Sequence, residues 1–204
     1  MPTLYLVRHG DTAANDANIV RGDIDYPLNA KGKRQARLAG IFLRPKHPVR
    51  ILASPVERAQ ETAGIISALT GARVITNSAL ETWRMGALQG LKLESVLPFS
   101  KFYQRNPDVK IPYGESFESF YDRWSKILHR AIRWARMHPG ETLVLVAHTK
   151  CILASRDIIA GEPMRPLKYI NIPAPGSVMA ITINGPDIHM RQVFGQVEGP
   201  KGSH

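Results

Sequence analysis

Leu4-Tyr5-Leu6-Val7-Arg8-His9-Gly10-Asp11-Thr12 is an apolar, strand-forming run followed at once by a charged pair and a glycine. That pattern predicts a buried strand stopping at a functional turn. In open α/β sheets, ligands gather just beyond the carboxyl ends of the strands, so the chemistry is expected to begin at Arg8 and His9. Arg8 offers a planar fork of donors suited to a phosphate, His9 a ring nitrogen that is nucleophilic at neutral pH, and Gly10 a backbone open to close approach. Thr12 and Asn15 add polar side chains at the start of the next segment. Alone, Arg8-His9-Gly10 fits a surface turn with a core-capping histidine equally well.

Outward from this turn, residues 29–44 predict a helix, with Asn29 as N-cap and Ala36, Leu38, Ala39, Ile41, Phe42 and Leu43 along one side. Residues 49–53 predict a short strand. Ser54 is expected to cap a helix from Pro55 to about Thr70, with Gly71 beyond its end. Residues 74–76 predict a third strand, 116–138 a long amphipathic helix, and 142–147 an almost purely apolar strand, hence central and parallel. A helix from Thr149 to about Ala160 and a hairpin around Asn184-Gly185-Pro186-Asp187 complete the pattern. The carboxyl edge thus receives three candidates: Arg8-His9, Arg58 one turn into its helix, and His148. Read without context, Arg58 also fits a surface salt bridge with Glu57 or Glu61, and His148 a core histidine.

Taken together, Arg8-His9-Gly10-x-Thr12-x-x-Asn15, Gly22-x-x-Asp25-x-Pro27-Leu28 with Gly32-x-x-Gln35-Ala36, Ser54-Pro55-x-x-Arg58-Ala59-x-x-Thr62-Ala63 and Val146-Ala147-His148 resemble, in order, the blocks of the histidine phosphatase superfamily, the phosphoglycerate-mutase-like enzymes. The resemblance spans about residues 3–185. It implies a three-layer α/β/α fold in one domain, residues 1–195: a mostly parallel central sheet with helices on both faces and an insertion at about 91–115 acting as a specificity lid. A flexible tail, 196–204, is expected beyond.

The resemblance also implies a mechanism. His9 attacks phosphorus to give a phosphohistidine, while Arg8, Arg58 and His148 hold the phosphoryl oxygens with Asn15 assisting. Gly10, Thr12, Arg21, Thr149 and Glu115 are taken as substrate-binding. No cofactor or metal is called for, since protein cations supply the charge a magnesium ion provides elsewhere. Two departures stand out. Anchored on Gly86-x-Leu88-Gln89-Gly90, the family's acidic glutamate falls at Thr82, which makes Glu81, one residue early, the first candidate general acid. Glu115, at a helix N-terminus, is read as a structural cap before a substrate contact or acid. After His148, Thr149 and Lys150 stand where glycine is usual, and the lysine adds positive charge nearby. A metal-independent phosphomonoesterase acting on a phosphorylated small molecule, with a phosphoprotein as second choice, is therefore the expectation. A phosphoglycerate-type mutase and a phospho-ligand-binding pseudo-enzyme are the alternatives.

Bulk properties bound the rest. The 204 residues, 44% hydrophobic and 22% charged, suit one soluble domain. The short N-terminal apolar run predicts neither export nor a membrane span, so a cytoplasmic location is expected. The single Cys151 excludes an internal disulfide. A net charge of +10 favours anionic ligands. Its basic residues (Lys31, Lys33, Arg34, Arg37, Arg44, Lys46, Arg50, Arg130, Arg133, Arg136) are scattered without interleaved aromatics, which predicts a solvated face and no nucleic-acid partner. Monomer and homodimer remain equally open.

Overall fold

The structure, a computed structural model, describes residues 3–198. In chain order the elements are β1 (Thr3–Arg8), α1 (Ala13–Asp16), α2 (Ala30–Leu43), β2 (Pro48–Ala53), α3 (Glu57–Thr70), β3 (Arg73–Thr76), α4 (Leu93–Arg105), α5 (Phe117–Met137), β4 (Thr142–Ala147), α6 (Thr149–Ile159), β5 (Ile172–Pro173), β6 (Val178–Asn184), β7 (Asp187–Phe194) and β8 (Val197–Glu198). Six strands form one sheet in the order β3-β2-β4-β1-β6-β7. The pairings β3–β2, β2–β4 and β4–β1 are parallel; β6 and β7 join antiparallel at the edge.

Alternation along the strands explains the three layers, because successive side chains leave a strand on opposite faces. Leu4 and Leu6 of β1, with Leu143 and Leu145 of β4, pack against α5 and α6. Tyr5 and Val7, with Val144 and Val146, pack against α2 and α3 on the other face. Fully buried Trp83, Phe117, Phe120 and Trp124 fill the first of these two cores.

Register places the chemistry. Arg8 pairs with Ala147, so His9 and His148 emerge side by side, each one residue past a strand end. Ala53 pairs with Val146, which brings Ser54 to the same edge. Asn29 accepts from the Gly32 amide and Gly71 ends α3 with φ +76°, as the sequence suggests; at the start of α5 the cap is Ser116, which accepts from the Ser119 amide, and not Glu115.

Several expectations need correcting. The helix predicted from Pro55 begins at Glu57 with Val56 as its N-cap, and Ser54 does not cap it. Leu38 and Ile41 of α2, each 53% exposed, face solvent, and its inner face is made of Gly32, Ala36, Ala39, Gly40 and Leu43. Small residues there let α2 lie close to α3. The chain from residue 196 is not all flexible tail: Val197–Glu198 pairs with Ile172–Pro173, and the Gln196 carbonyl accepts from the Ala174 amide at 2.8 Å. Residues 199–204 lie outside the described part. The ten scattered basic residues are all exposed, with Lys31 paired to Asp11 at 2.7 Å. No helix among the described residues is long and apolar enough to cross a membrane.

Candidate active site

The turn after β1 is fixed from all sides. The His9 amide donates to the Ala147 carbonyl (3.0 Å), and the Gly176 amide closes on the carbonyls of Arg8 and His9. Thr62 of α3 accepts from the Gly10 amide at 3.0 Å. Gly10 then passes so close to α2 that a Cβ there would stand 2.5 Å from the Gly32 carbonyl oxygen. The close approach inferred for Gly10 is therefore to a helix, and Gly10 is not on the wall of the cavity described below. Asp11, buried, meets Lys31 at 2.7 Å and accepts from the Thr12 amide. Thr12 is likewise a strut: its hydroxyl donates to Asn15 Oδ1 at 2.8 Å, an oxygen that also accepts from Arg21.

His9 Nδ1 lies 2.7 Å from the Gly10 carbonyl. A carbonyl only accepts, so Nδ1 carries the proton and the Nε2 lone pair is left free. The His148 ring sits with its centroid 5.3 Å from that of His9, tilted by 58°. Its Nε2 is held by the Ser54 hydroxyl at 3.0 Å, the partnership that takes Ser54 away from α3. Both imidazoles are almost wholly buried, and burial, reinforced by the positive charge of Arg58 and Arg21, holds their pKa values well below the ordinary 6.5. Both are neutral in the empty site.

Arg58 is 1% exposed and no surface salt bridge. Its Nη1 and Nη2 donate to the carbonyls of Ile24 (2.9 Å) and Gly22 (2.6 Å), while its buried Nε has no hydrogen-bond partner among the described residues. Burial lowers it to about 10, which still leaves it charged at neutral pH. Arg8 is anchored through Nη1 to the Pro173 carbonyl at 2.6 Å. These groups line a cavity of about 280 Å³ whose wall includes Arg8, His9, Asn15, Arg21, Arg58, His148, Thr149 and Lys150. The lining also carries apolar Leu93, Val96 and Leu97 with Ser100 from α4, together with Ile19, Val20 and Tyr169. The helix of the 91–115 insertion thus contributes to the same cavity.

The two carboxylates singled out as acids are not on this wall. Thr82 and Trp83 line the cavity, and Glu81 does not; its backbone carbonyl accepts from Arg123 Nη1 at 2.9 Å. Glu115, 4% exposed, is bound by Arg123 (2.6 Å), by the Arg84 amide (3.0 Å) and, more loosely, by the Arg84 guanidinium (3.5 Å). It ties the start of α5 to the 82–85 segment, a structural part. Arg123 went unnoticed in the sequence: it also bonds the carbonyls of Ala79 and Thr82, and so sets the path of the whole 79–82 stretch. An arginine on the flank of an amphipathic helix gives no sign of such partners.

An α/β sheet with two neutral histidines and three arginines converging beyond its strand ends is the architecture of a phosphoryl-transfer protein. The chain belongs to the histidine phosphatase superfamily (branch 1), whose family model matches residues 4–194. It is similar to the probable phosphoglycerate mutase GpmB of Serratia proteamaculans, 31% identical over 80% of this chain and 77% of that one, and to its namesake of Klebsiella pneumoniae, 33% identical with the same coverage. Among solved structures, Bacillus stearothermophilus YhfR superposes with a TM-score of 0.80 at 27% identity, over 96% of this chain and 98% of that one. The mycobacterial glucosyl-3-phosphoglycerate phosphatase Rv2419c, solved with VO3, shares the fold with a TM-score of 0.79 at 24% identity, over 96% of this chain and 100% of its own.

Proposed function

We propose that the protein is a metal-independent phosphomonoesterase that transfers the phosphoryl group of a small phosphorylated molecule to His9 and then to water. The observation that carries this reading is the His9 tautomer: with Nδ1–H committed to Gly10, the Nε2 lone pair is free at the basic pole of the cavity. Arg8, Arg58 and Arg21 neutralise the dianion and the charge spread over its equatorial oxygens, with Arg58 Nε the donor left open for one of them. A bound dianion offsets the burial and the repulsion that keep His148 neutral. His148 then takes up a proton and donates to a second oxygen, steadied by Ser54.

The cavity supports a small molecule over a phosphoprotein, since its volume is at the lower end of the range for small-ligand sites and α4 walls it on one side. The GpmB relatives favour the mutase as second reading. Against it stands the apolar character of most of α4's share of the lining, Leu93, Val96 and Leu97, which leaves the Ser100 hydroxyl as that helix's one polar group toward the carboxylate of a sugar acid. A binding-only protein has no use for a nucleophile with its lone pair held free.

The test is hydrolysis of para-nitrophenyl phosphate in EDTA, wild type beside His9→Ala, followed by 3-phosphoglycerate as substrate. Turnover that needs His9, ignores EDTA and releases inorganic phosphate from the second compound supports the phosphatase. Conversion of 3-phosphoglycerate to its 2-isomer supports the mutase. No turnover by a folded wild type, on these or a panel of phosphorylated metabolites, sinks both.

A further inference from the structure

Hydrolysis through His9 requires a proton for the leaving oxygen and a base for the attacking water, and, among the described residues, the cavity wall carries no aspartate or glutamate. Its asparagines, serine and threonines do not titrate near neutral pH. Tyr169 does not serve either, because a phenol ordinarily gives up its proton only at about pH 10. Lys150 remains. It sits in the first turn of α6, two residues after His148, and its ammonium is folded inward: Nζ donates to Met85 Sδ at 2.9 Å and lies 4.7 Å from the centre of the Trp83 ring. Trp83 and Met85 line the same cavity and lie one and three residues after Thr82, where the family pattern would place its glutamate. Neither contact is a carboxylate, so the proton is not locked in a salt bridge.

We propose that Lys150 is the general acid and base of this enzyme, in place of a carboxylic acid. This rests on the phosphatase reading above. In the first step His9 Nε2 bonds to phosphorus as the P–O bond to the alcohol breaks, and the leaving oxygen takes a proton from Lys150, giving the free alcohol and a neutral amine. In the second, the amine removes a proton from water as the water oxygen bonds to phosphorus. The P–N bond breaks, its electron pair returns to His9, and inorganic phosphate leaves with the ammonium restored. Burial, with a smaller push from Arg21, draws Lys150 down to about 7, close to the working pH as a reversible proton carrier needs. The ionisable groups around it are Arg8, Arg21, Arg58, His9, His148 and Tyr169 on the cavity wall, and Cys151 beside it in α6.

The experiment compares Lys150→Met and Lys150→Arg with wild type on two esters: para-nitrophenyl phosphate, read as the pre-steady-state burst of nitrophenolate, and an alkyl phosphate whose leaving oxygen must be protonated. The burst with the first ester should stay within about fivefold of wild type. Turnover of the alkyl ester should fall about 10²- to 10³-fold in both variants, the size typical of a lost general acid. Lys150→Arg should not rescue, because a guanidinium keeps its proton. In wild type, kcat/KM for the alkyl ester should decline on the alkaline side of about pH 7, a limb absent from Lys150→Met. Equal losses on both esters, or alkyl turnover kept within threefold, would overturn the assignment while leaving the phosphatase intact. A wild type inactive on both esters overturns the phosphatase reading and this one with it. Circular dichroism and phosphate binding confirm that the variants are folded; if Lys150→Met is not, Lys150→Arg and the wild-type pH profile decide the matter by the same criteria.

Discussion

The Ser54 hydroxyl holds His148 Nε2 at 3.0 Å, bridging two strand ends that lie 94 residues apart in the chain. This one bond fixes which way the second imidazole faces. Ser54→Ala removes it without touching the nucleophile and leaves a buried ring nitrogen unpaired, so kcat/KM should fall about tenfold, roughly 1.4 kcal/mol, with the melting temperature lowered by a few degrees. Steady-state kinetics beside a thermal melt read both numbers; an unaltered rate would mean that His148 orients itself.

Arg58→Ala should cost more. The guanidinium both meets the anion and pins the carbonyls of Gly22 and Ile24, so its loss removes charge and loosens the 22–24 loop at once. A drop of at least about a hundredfold in kcat/KM, near 3 kcal/mol, is expected for charge-assisted contacts. Arg58→Lys should recover little, having one point of donation where the guanidinium uses two and offers Nε to the anion as a third.

Arg123 supports the site from behind. Arg123→Leu strands the buried Glu115 carboxylate and should destabilise the fold by about 3 kcal/mol, seen as a lower urea midpoint. Glu115→Gln should cost less than half of that. Glu81→Gln should leave turnover within a few-fold of wild type, since Glu81 is off the cavity wall; a hundredfold loss would return the acid's role to it.

Gly10→Ala should fail by collision. Its Cβ meets backbone of α2, which cannot swing aside as a side chain can, so a loss of about 3 kcal/mol or more in urea unfolding is expected.

Acid should destabilise the empty enzyme through its two buried histidines. Their folded pKa values lie well below 6.5, so as pH drops beneath that value the unfolded chain takes up protons that the folded one refuses. Stability contributed by the neutral rings is full above about pH 6.5 and declines on acidification toward the folded pKa values. The urea midpoint should be lower at pH 5.5 than at 7.5, and the double variant His9→Gln, His148→Gln should flatten that slope.

Short-range pattern made much of this molecule readable. The apolar runs of β1 and β4, the caps Asn29 and Gly71, and the ordered motif residues Arg8, His9, Arg58 and His148 all announce themselves within a few neighbours. What stayed hidden are choices between partners far apart in sequence. A serine before a helix looks like its cap until register hands it to His148 instead. Gly10 looks open to a ligand, whereas α2 occupies the space. Glu81 and Thr82 differ by one position, and only the path imposed by Arg123 decides which reaches the cavity. A lysine at the start of a helix reads as solvated, and nothing local says that Trp83 and Met85 will receive it.

The hold on residues 8 and 9 also sets a timetable. The His9 amide waits for Ala147, and Arg8 for Pro173, so the nucleophile is made well before the strands that give it its geometry. While β2, α3 and β3 emerge, β1 has neither of its sheet neighbours, β4 and β6. Such late, long-range pairing makes folding slow, and the turn after β1 gains its sheet contacts only when the strands that border it arrive.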